Sequence, residues 1–384
     1  MDDRQRCHDI LSDLIAFPTV SADSNLDLIA YVANLLEDAG AKVEVQQNPD
    51  GTKANLFATM GSTEQGGGIV LSGHTDVVPV ADQDWTRDPF KMAELDGNLY
   101  GRGTCDMKGF IAATLAKVDV LRNAATKRPI HFAFTYDEEV GCIGAQSLID
   151  LLAARPVRPS IALIGEPTMM QVIEGHKGCC EYTVTFTGAA GHGSAPDRGV
   201  NAVEYAVRYI NRLMELRQAL IDRCPPESRF DPPHSTINVG SLHGGSAHNV
   251  IAARAVLEWE MRPVVPEDHE FVLNDLRDYV GDVLLPDMRR VANWAEIETE
   301  IIGEVAGLTP MEQNAARDLL FRLTGANAAQ TVPFGTEAGL FQSIGMDAVI
   351  CGPGSIDQAH KPDEFLSVDQ LDSCLTMLDR LAGN

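Results

Sequence analysis

Three apolar runs constrain this chain more than any other feature: GIVLS at 68–72, PIHFAFTY at 129–136 and SIALIG at 160–165. Each is short and continuous rather than alternating, the pattern of a strand covered on both faces. Between and around them lie stretches with helical spacing. These are NLDLIAYVANLLEDA at 25–39, stopped by Gly40, then MKGFIAATLAKVDVLRNA at 107–124, then GAQSLIDLLAAR. Strands alternating with helices predict a largely parallel sheet sandwiched by helices. In such sheets, ligands bind beyond the carboxyl ends of the strands. Each of the three runs ends there in ionisable side chains.

The pattern changes after about residue 178. CEYTVTFTG alternates like a strand with one exposed face, and NAVEYAVRYINRLMELRQAL at 201–220 is a long amphipathic helix. STINVGSLHGG and AVLEWEMRPV read as strands, EDHEFVLNDLRDYVGDVLL as a second helix and ETEIIGE as a further strand, the order of an α+β sandwich. After Pro310 a helix, a strand and a closing helix restore the first style. The expected fold class is therefore α/β: a mostly parallel central sheet flanked by helices, with an inserted α+β sandwich domain. The boundaries read as 1–177 and 299–384 for the sheet domain and 178–298 for the insertion. A chain of 384 residues is long for a single core, which agrees with that division.

Charge narrows the partners. A net charge of −25 disfavours nucleic acid and anionic membrane surfaces, because both are polyanions. No apolar run reaches the roughly 18 residues that a membrane helix needs. The start, MDDRQRCHDILSDLIAF, lacks a basic segment followed by an apolar one, so no secretory leader is expected. The eight cysteines include no CxxC pair and read as reduced thiols in a cytoplasmic protein.

Five short stretches carry chemistry. In SGHTD, His74 and Asp76 sit at i and i+2, and in extended chain such side chains share one side. A carboxylate so placed can orient an imidazole, although a core histidine beside a turn aspartate would look the same. In YGRGTCDMKG, Asp106 precedes a helix as a ligand or as an N-cap. The spacing of a phosphate-binding loop is absent, since Lys108 is followed by Gly109. FAFTYDEEVG ends a strand with Asp137, Glu138 and Glu139. Adjacent residues in extended chain face opposite ways, so one glutamate can bind a cation while the other stays free as a base; a solvated acidic turn is the alternative. Glu166 follows another apolar strand, and His360 lies in the loop after AVICG. Each stretch alone is weak. Together they place histidines and carboxylates at the ends of several strands, a nitrogen and oxygen donor set suited to Zn2+ and able to accept Co2+ or Mn2+. Five such donors exceed one tetrahedral ion and suit two ions about 3.5 Å apart, bridged by a carboxylate.

The stretches SGHTDVVP, YGRGTCDMKG, TYDEEVG, GEPT, GHGSAPDRGVNA and AHKPDEF, in that order, resemble the dinuclear zinc aminoacylase and carboxypeptidase family. That family includes acetylornithine deacetylases, succinyl-diaminopimelate desuccinylases and glutamate carboxypeptidases. The resemblance spans residues 74–365 and implies a zinc-peptidase-like catalytic domain with an inserted lid and dimerisation domain. It implies that Asp106 bridges two metals, with His74 and Glu166 on one and Glu139 and His360 on the other. Glu138 is implied as general base and Asp76 as the partner of His74. His192 is implied to close over the substrate carbonyl, from its own or a second subunit, and Asn249 and Arg262 to bind the substrate carboxylate. GTEAGLF at 335–341 and CGPGSIDQAHKPDEFL at 351–366 resemble the acetylornithine deacetylase branch most. They imply a cytoplasmic homodimer of arginine synthesis acting on a small N-acyl amino acid, N2-acetylornithine. Gly335 and Glu337 then become substrate-binding, with Glu337, in a flexible loop, reading the side-chain ammonium; a merely solvated loop glutamate is the alternative. A desuccinylase, aminoacylase or carboxypeptidase of the same family is the second expectation, and a non-catalytic binder on the same fold the third.

Overall fold

The computed structural model describes residues 2–64 and 66–383. The chain forms two compact units. The first comprises Met1–Gly175, Pro310–Thr331 and Thr336–Asn384. Its eight-stranded sheet runs in the order Lys42–Gln47, Ala54–Met60, Ile130–Thr135, Ile69–His74, Ile161–Pro167, Asp347–Gly352, Ile173–His176, Gln330–Val332. The four middle strands are mutually parallel, while Lys42–Gln47 and Ala54–Met60 join antiparallel at one edge. Every residue of Ile69–His74, Ile130–Thr135 and Ile161–Pro167 is buried. Helices on both faces require this, and it explains why these strands read as continuous apolar runs.

Leu11, Leu14 and Ile15 of helix Asp3–Ala16 share the core with Ile111 and Ala112 of helix Gly109–Ala116 and with Leu371, Leu375 and Leu378 of helix Val368–Gly383. Helix Gly109–Ala116 is buried all round. Its Phe110 presses against the strand at Gly165, where a Cβ would come within 2.0 Å of the ring. Only glycine fits that approach, and burying a phenylalanine there contributes about 1.5–3 kcal/mol. The single helix expected over 107–124 is broken. Asp106 and Met107 have non-helical backbone angles, and the helical residues fall into Gly109–Ala116 and Val118–Ala124.

The second unit comprises His176–Thr309 and Val332–Gly335. Its four strands lie in the order Thr236–Gly244, Arg254–Arg262, Cys179–Thr187, Glu296–Val305, with antiparallel pairing throughout. Cys179–Thr187 alternates between buried and less buried positions, as a sheet with one covered face must. Helices Ala202–Asp222 and Pro266–Tyr279 cover that face, packing Tyr209, Leu213, Val272 and Leu276 on Tyr182, Phe186, Leu257 and Trp259. The Asn201 side chain accepts from the Val203 N–H and caps the long helix. Among the described residues, no helix is long and apolar enough to cross a membrane.

Candidate metal centre

The parallel strands of the first unit deliver their charged residues to one edge. His74 is the last residue of Ile69–His74 and is 1% exposed. Its Nδ1 lies 2.8 Å from the backbone carbonyl of Asp76 and so carries the ring hydrogen. Its Nε2 then faces Asp106 Oδ1 at 3.0 Å and Glu166 Oε1 at 3.9 Å. On the other side of Asp106, His360 Nε2 lies 3.4 Å from Oδ2 and 3.0 Å from Glu139 Oε2. Asp106 therefore stands between the two imidazoles, one oxygen towards each. The donor atoms of His74, Asp106 and Glu139 fall within 4.8 Å of one another, as do those of His74, Glu138 and Glu166. The adjacent glutamates thus serve different groups, but from a turn and not from the extended chain the sequence suggested: the strand ends at Thr135, and Asp137 has φ of 55°.

Such crowding of carboxylates has an electrostatic signature. Burial pushes Glu138 up to about 8, and the neighbouring Glu139 and Asp106 charges add to the rise. Burial likewise raises Glu139 and, far more, Glu166, both helped by the Asp106 charge. Burial alone would lower His74, but its hydrogen bond to Asp106, the nearby Asp76 carboxylate and the charge of Glu166 lift it well above the ordinary imidazole range. Hydrogen bonds to Asp106 and Glu139 raise His360 to about 10. The buried Glu166 Oε1 has no hydrogen-bond partner. A neutral His74 would aim a bare lone pair at two carboxylate oxygens. Divalent cations would relieve both conditions, and this donor set of imidazoles and carboxylates fits them.

The structure corrects two sequence expectations. First, the His74 hydrogen bond goes to the Asp76 carbonyl, while the Asp76 carboxylate lies 3.6 Å from Nδ1. That carboxylate accepts from Ser21 Oγ at 2.7 Å, from the Glu138 N–H at 3.1 Å and from the Glu139 N–H at 3.4 Å. It ties down the turn that carries both glutamates. Second, Glu337 does not lie in an open loop. It is fully buried, and its carboxylate accepts from Ser72 Oγ at 2.5 Å and Thr135 Oγ1 at 2.8 Å, hydroxyls of two central strands. A carboxylate held beneath the sheet edge in this way is not poised to read a substrate ammonium.

The sequence pattern does not reveal the residues that shape the turns. Asp137, with φ of 55°, receives Lys53 Nζ at 2.6 and 2.8 Å, which fixes the chain just before Glu138. Lys108 is fully buried, donates to the carbonyls of Leu14 and Phe17, and is pushed down to about 7 by burial. Glu364, inside the AHKPDEF stretch, bonds the backbone around Asp106. Neither local periodicity nor spacing marks these partners.

The other predicted residues belong to the second unit. His192 is exposed, and its Nδ1 accepts from Ser194 Oγ at 2.7 Å and the Ser194 N–H at 3.2 Å, which leaves Nε2 to carry the hydrogen. Asn249 is exposed in a turn, where its carbonyl accepts from the Gly193 N–H. Arg262 donates through Nε and Nη2 to Glu260 Oε2, at 3.0 and 2.8 Å. Gly335 is partly exposed.

A mostly parallel sheet with this cluster at its carboxyl edge is the framework of a metal-dependent hydrolase of amide bonds. The chain belongs to Peptidase family M20/M25/M40, whose model matches residues 70–384. It is 39% identical over 368 residues to an acetylornithine deacetylase of Shigella sonnei, covering 93% of this chain and 92% of that protein. Its fold is similar to that of a tripeptidase from Staphylococcus aureus, with a TM-score of 0.72, 22% identity and 99% of each chain covered. It is similar as well to a dinuclear metal-binding peptidase of the M20 family from Bacillus subtilis, with a TM-score of 0.65, 18% identity and 99% and 97% of the two chains covered.

Proposed function

We propose that this chain removes the acetyl group of N2-acetylornithine, giving ornithine and acetate, at a centre for two Zn2+ ions. Co2+ or Mn2+ would substitute in the same donor set. The observation that carries the reading is the placement of Asp106 between His74 and His360, together with 39% identity to a deacetylase over nearly the whole chain. Asp106 would hold both ions, with His74 and Glu166 completing one site and Glu139 and His360 the other. Ions bound there supply Lewis-acid polarisation of the amide carbonyl and acidify water towards neutral pH.

The chain's own residues then do the following. Glu138 takes a proton from the attacking water and passes it to the departing amine. Its environment supports this, because burial raises its basicity above that of a solvated carboxylate. The Asp76 carboxylate orients Glu138 through the backbone N–H it accepts. His192, from its own or a second subunit and with its hydrogen on Nε2, donates to the oxygen that gains charge at the carbonyl. Asn249 and Arg262 bind the substrate carboxylate, for which the planar guanidinium suits bidentate pairing.

Metal analysis combined with a hydrolysis panel of acetylornithine, succinyl-diaminopimelate and acetylmethionine tests this. Acetylornithine is expected to be cleaved fastest, with activity lost on chelation and restored by Zn2+. Cleavage of acetylmethionine alone would remove the substrate assignment and leave the chemistry. We extend the reading to a cytoplasmic homodimer joined through the second unit. Val207, Met214 and Ile221 support it, being exposed at seven-residue spacing on helix Ala202–Asp222, and sedimentation of the same preparation as a monomer would remove it.

A further inference from the structure

Behind the carboxylate that separates the two imidazoles sits an ion pair that the chemistry above does not use. Arg102 and Glu364 are each 1% exposed, and Arg102 Nη1 donates to Glu364 Oε2 at 2.7 Å. The same oxygen accepts from the Gly103 N–H at 3.0 Å. Glu364 Oε1 accepts from the Cys105 N–H at 2.8 Å and the Asp106 N–H at 3.1 Å. One carboxylate therefore gathers three backbone donors of the turn that carries Asp106. The turn can present them because Gly103 adopts φ of 87°, where a Cβ would come within 2.8 Å of Val77 Cγ1.

The other end of the pair reaches the His360 loop. Arg102 Nη1 also approaches the Lys361 carbonyl at 3.3 Å, and Nη2 donates to Gln83 Oε1 at 2.6 Å. Gln83 in turn donates through Nε2 to the His360 carbonyl at 3.1 Å. A buried ion pair is weak support for stability by itself, since desolvation offsets much of its attraction. Here the buried Arg102 Nε even lacks an acceptor. A fold selected for stability alone has no need of that arrangement. What the pair does accomplish is to fix, from one point, the backbones of Asp106 and His360.

We propose that Glu364 and Arg102 are positioning residues, which set the Asp106 carboxylate and the His360 imidazole at the separation a pair of divalent ions requires. This rests on the metal centre proposed above. The pair acts on the Asp106–His360 side, whereas the His74, Glu138 and Glu166 group takes no bond from it. Losing the pair should therefore weaken one ion more than the other. Glu364→Gln is the sharpest probe. It keeps the shape but puts an NH2 where one oxygen accepts from two donors, so donors face donors.

The experiment is titration of the metal-stripped chain with Co2+, followed by its visible absorption and by metal content after dialysis, beside thermal melting and steady-state kinetics. For Glu364→Gln we expect the weaker Co2+ step to lose affinity by about 10–100-fold, the size usual when a ligand's outer hydrogen-bond partner is removed. We expect kcat to fall by a similar factor, with KM little changed and a cooperative melt retained. Two Co2+ ions bound with wild-type affinity would overturn the proposal, whatever the activity. Wild-type protein that binds no Co2+ would instead overturn the metal centre itself, so the two failures are distinct. If Glu364→Gln does not melt cooperatively, Arg102→Gln is read in the same way: weakened Co2+ binding supports the proposal and unchanged binding overturns it. Failure of both variants to fold assigns the pair to stability and overturns it too.

Discussion

His74 and His131 lie on neighbouring parallel strands of one sheet, and both are almost wholly buried, at 1% and 3% exposure. His131 pairs with Val70, four residues before His74, so the rings sit roughly 13 Å apart along the strands. They titrate in opposite directions. Burial lowers His131 to about 4, with the Arg155 charge helping. The ring stacks on Phe57 at 5.3 Å and meets neutral groups, the Thr59 hydroxyl at 2.9 Å and the backbone at Gly67. His74 meets Asp106, Asp76 and Glu166, and these overcome the same burial to raise it. Burial does not separate the two histidines. Position along the strand does, because the loops that converge on the carboxyl ends bring carboxylates and the opposite ends bring an aromatic ring and a guanidinium.

Substitutions can break this comparison. The largest effect is expected at His74. His74→Asn should reduce turnover by on the order of 10³-fold or more, since losing outer partners alone costs about 10–100-fold. Metal content measured on the same sample should fall with it, and intact metal binding would detach His74 from the centre. Asp76→Asn comes next, with an expected loss of about 10–100-fold in kcat while metal content stays near wild type. Its carboxylate orients the Glu138 and Glu139 backbone, whereas the His74 ring is held by the Asp76 carbonyl, which the substitution leaves in place. Emptying of the metal site in Asp76→Asn would show that the carboxylate itself holds His74.

The smallest effect on turnover is expected at His131. His131→Leu should leave kcat within about twofold, as for a change remote from the chemistry. Its consequence lies in acid. The folded ring binds its proton only near pH 4, while the unfolded ring does so near 6.5. Stability from this group is therefore complete above pH 6.5 and is lost as pH falls towards 4, by up to about 3 kcal/mol. Denaturant melts of the first unit between those pH values should show this loss in wild type and a smaller one in His131→Leu. Equal acid sensitivity in both would mean that His131 is not held neutral by the fold.

Much of the centre is legible in the sequence. His74, Asp106, Glu138, Glu139, Glu166 and His360 follow apolar runs or glycine-rich turns, and the structure gathers all six at one sheet edge. Strands of a parallel sheet share a direction, so their ends share a place, which brings His74, Glu138, Glu139 and Glu166 together; Asp106 and His360 lie in loops held there by Glu364, Arg102 and Gln83. The expected helix at 107–124 failed at its start for a reason outside that logic. Its first residues belong to the turn that Glu364 holds, some 258 residues further along the chain.

Sequence alone determined the layered α/β architecture and the change of style within the chain, because burial on one or both faces imprints a local period on the residues themselves. Tertiary structure alone decided that the Asp76 carbonyl and not its carboxylate takes the His74 hydrogen, that Glu337 is sealed beneath Ser72 and Thr135, and that Arg102 meets Glu364. Hydrogen bonds and charge act through space over a few ångströms. The partners they choose here are up to 265 residues apart in the chain, a separation no local pattern records.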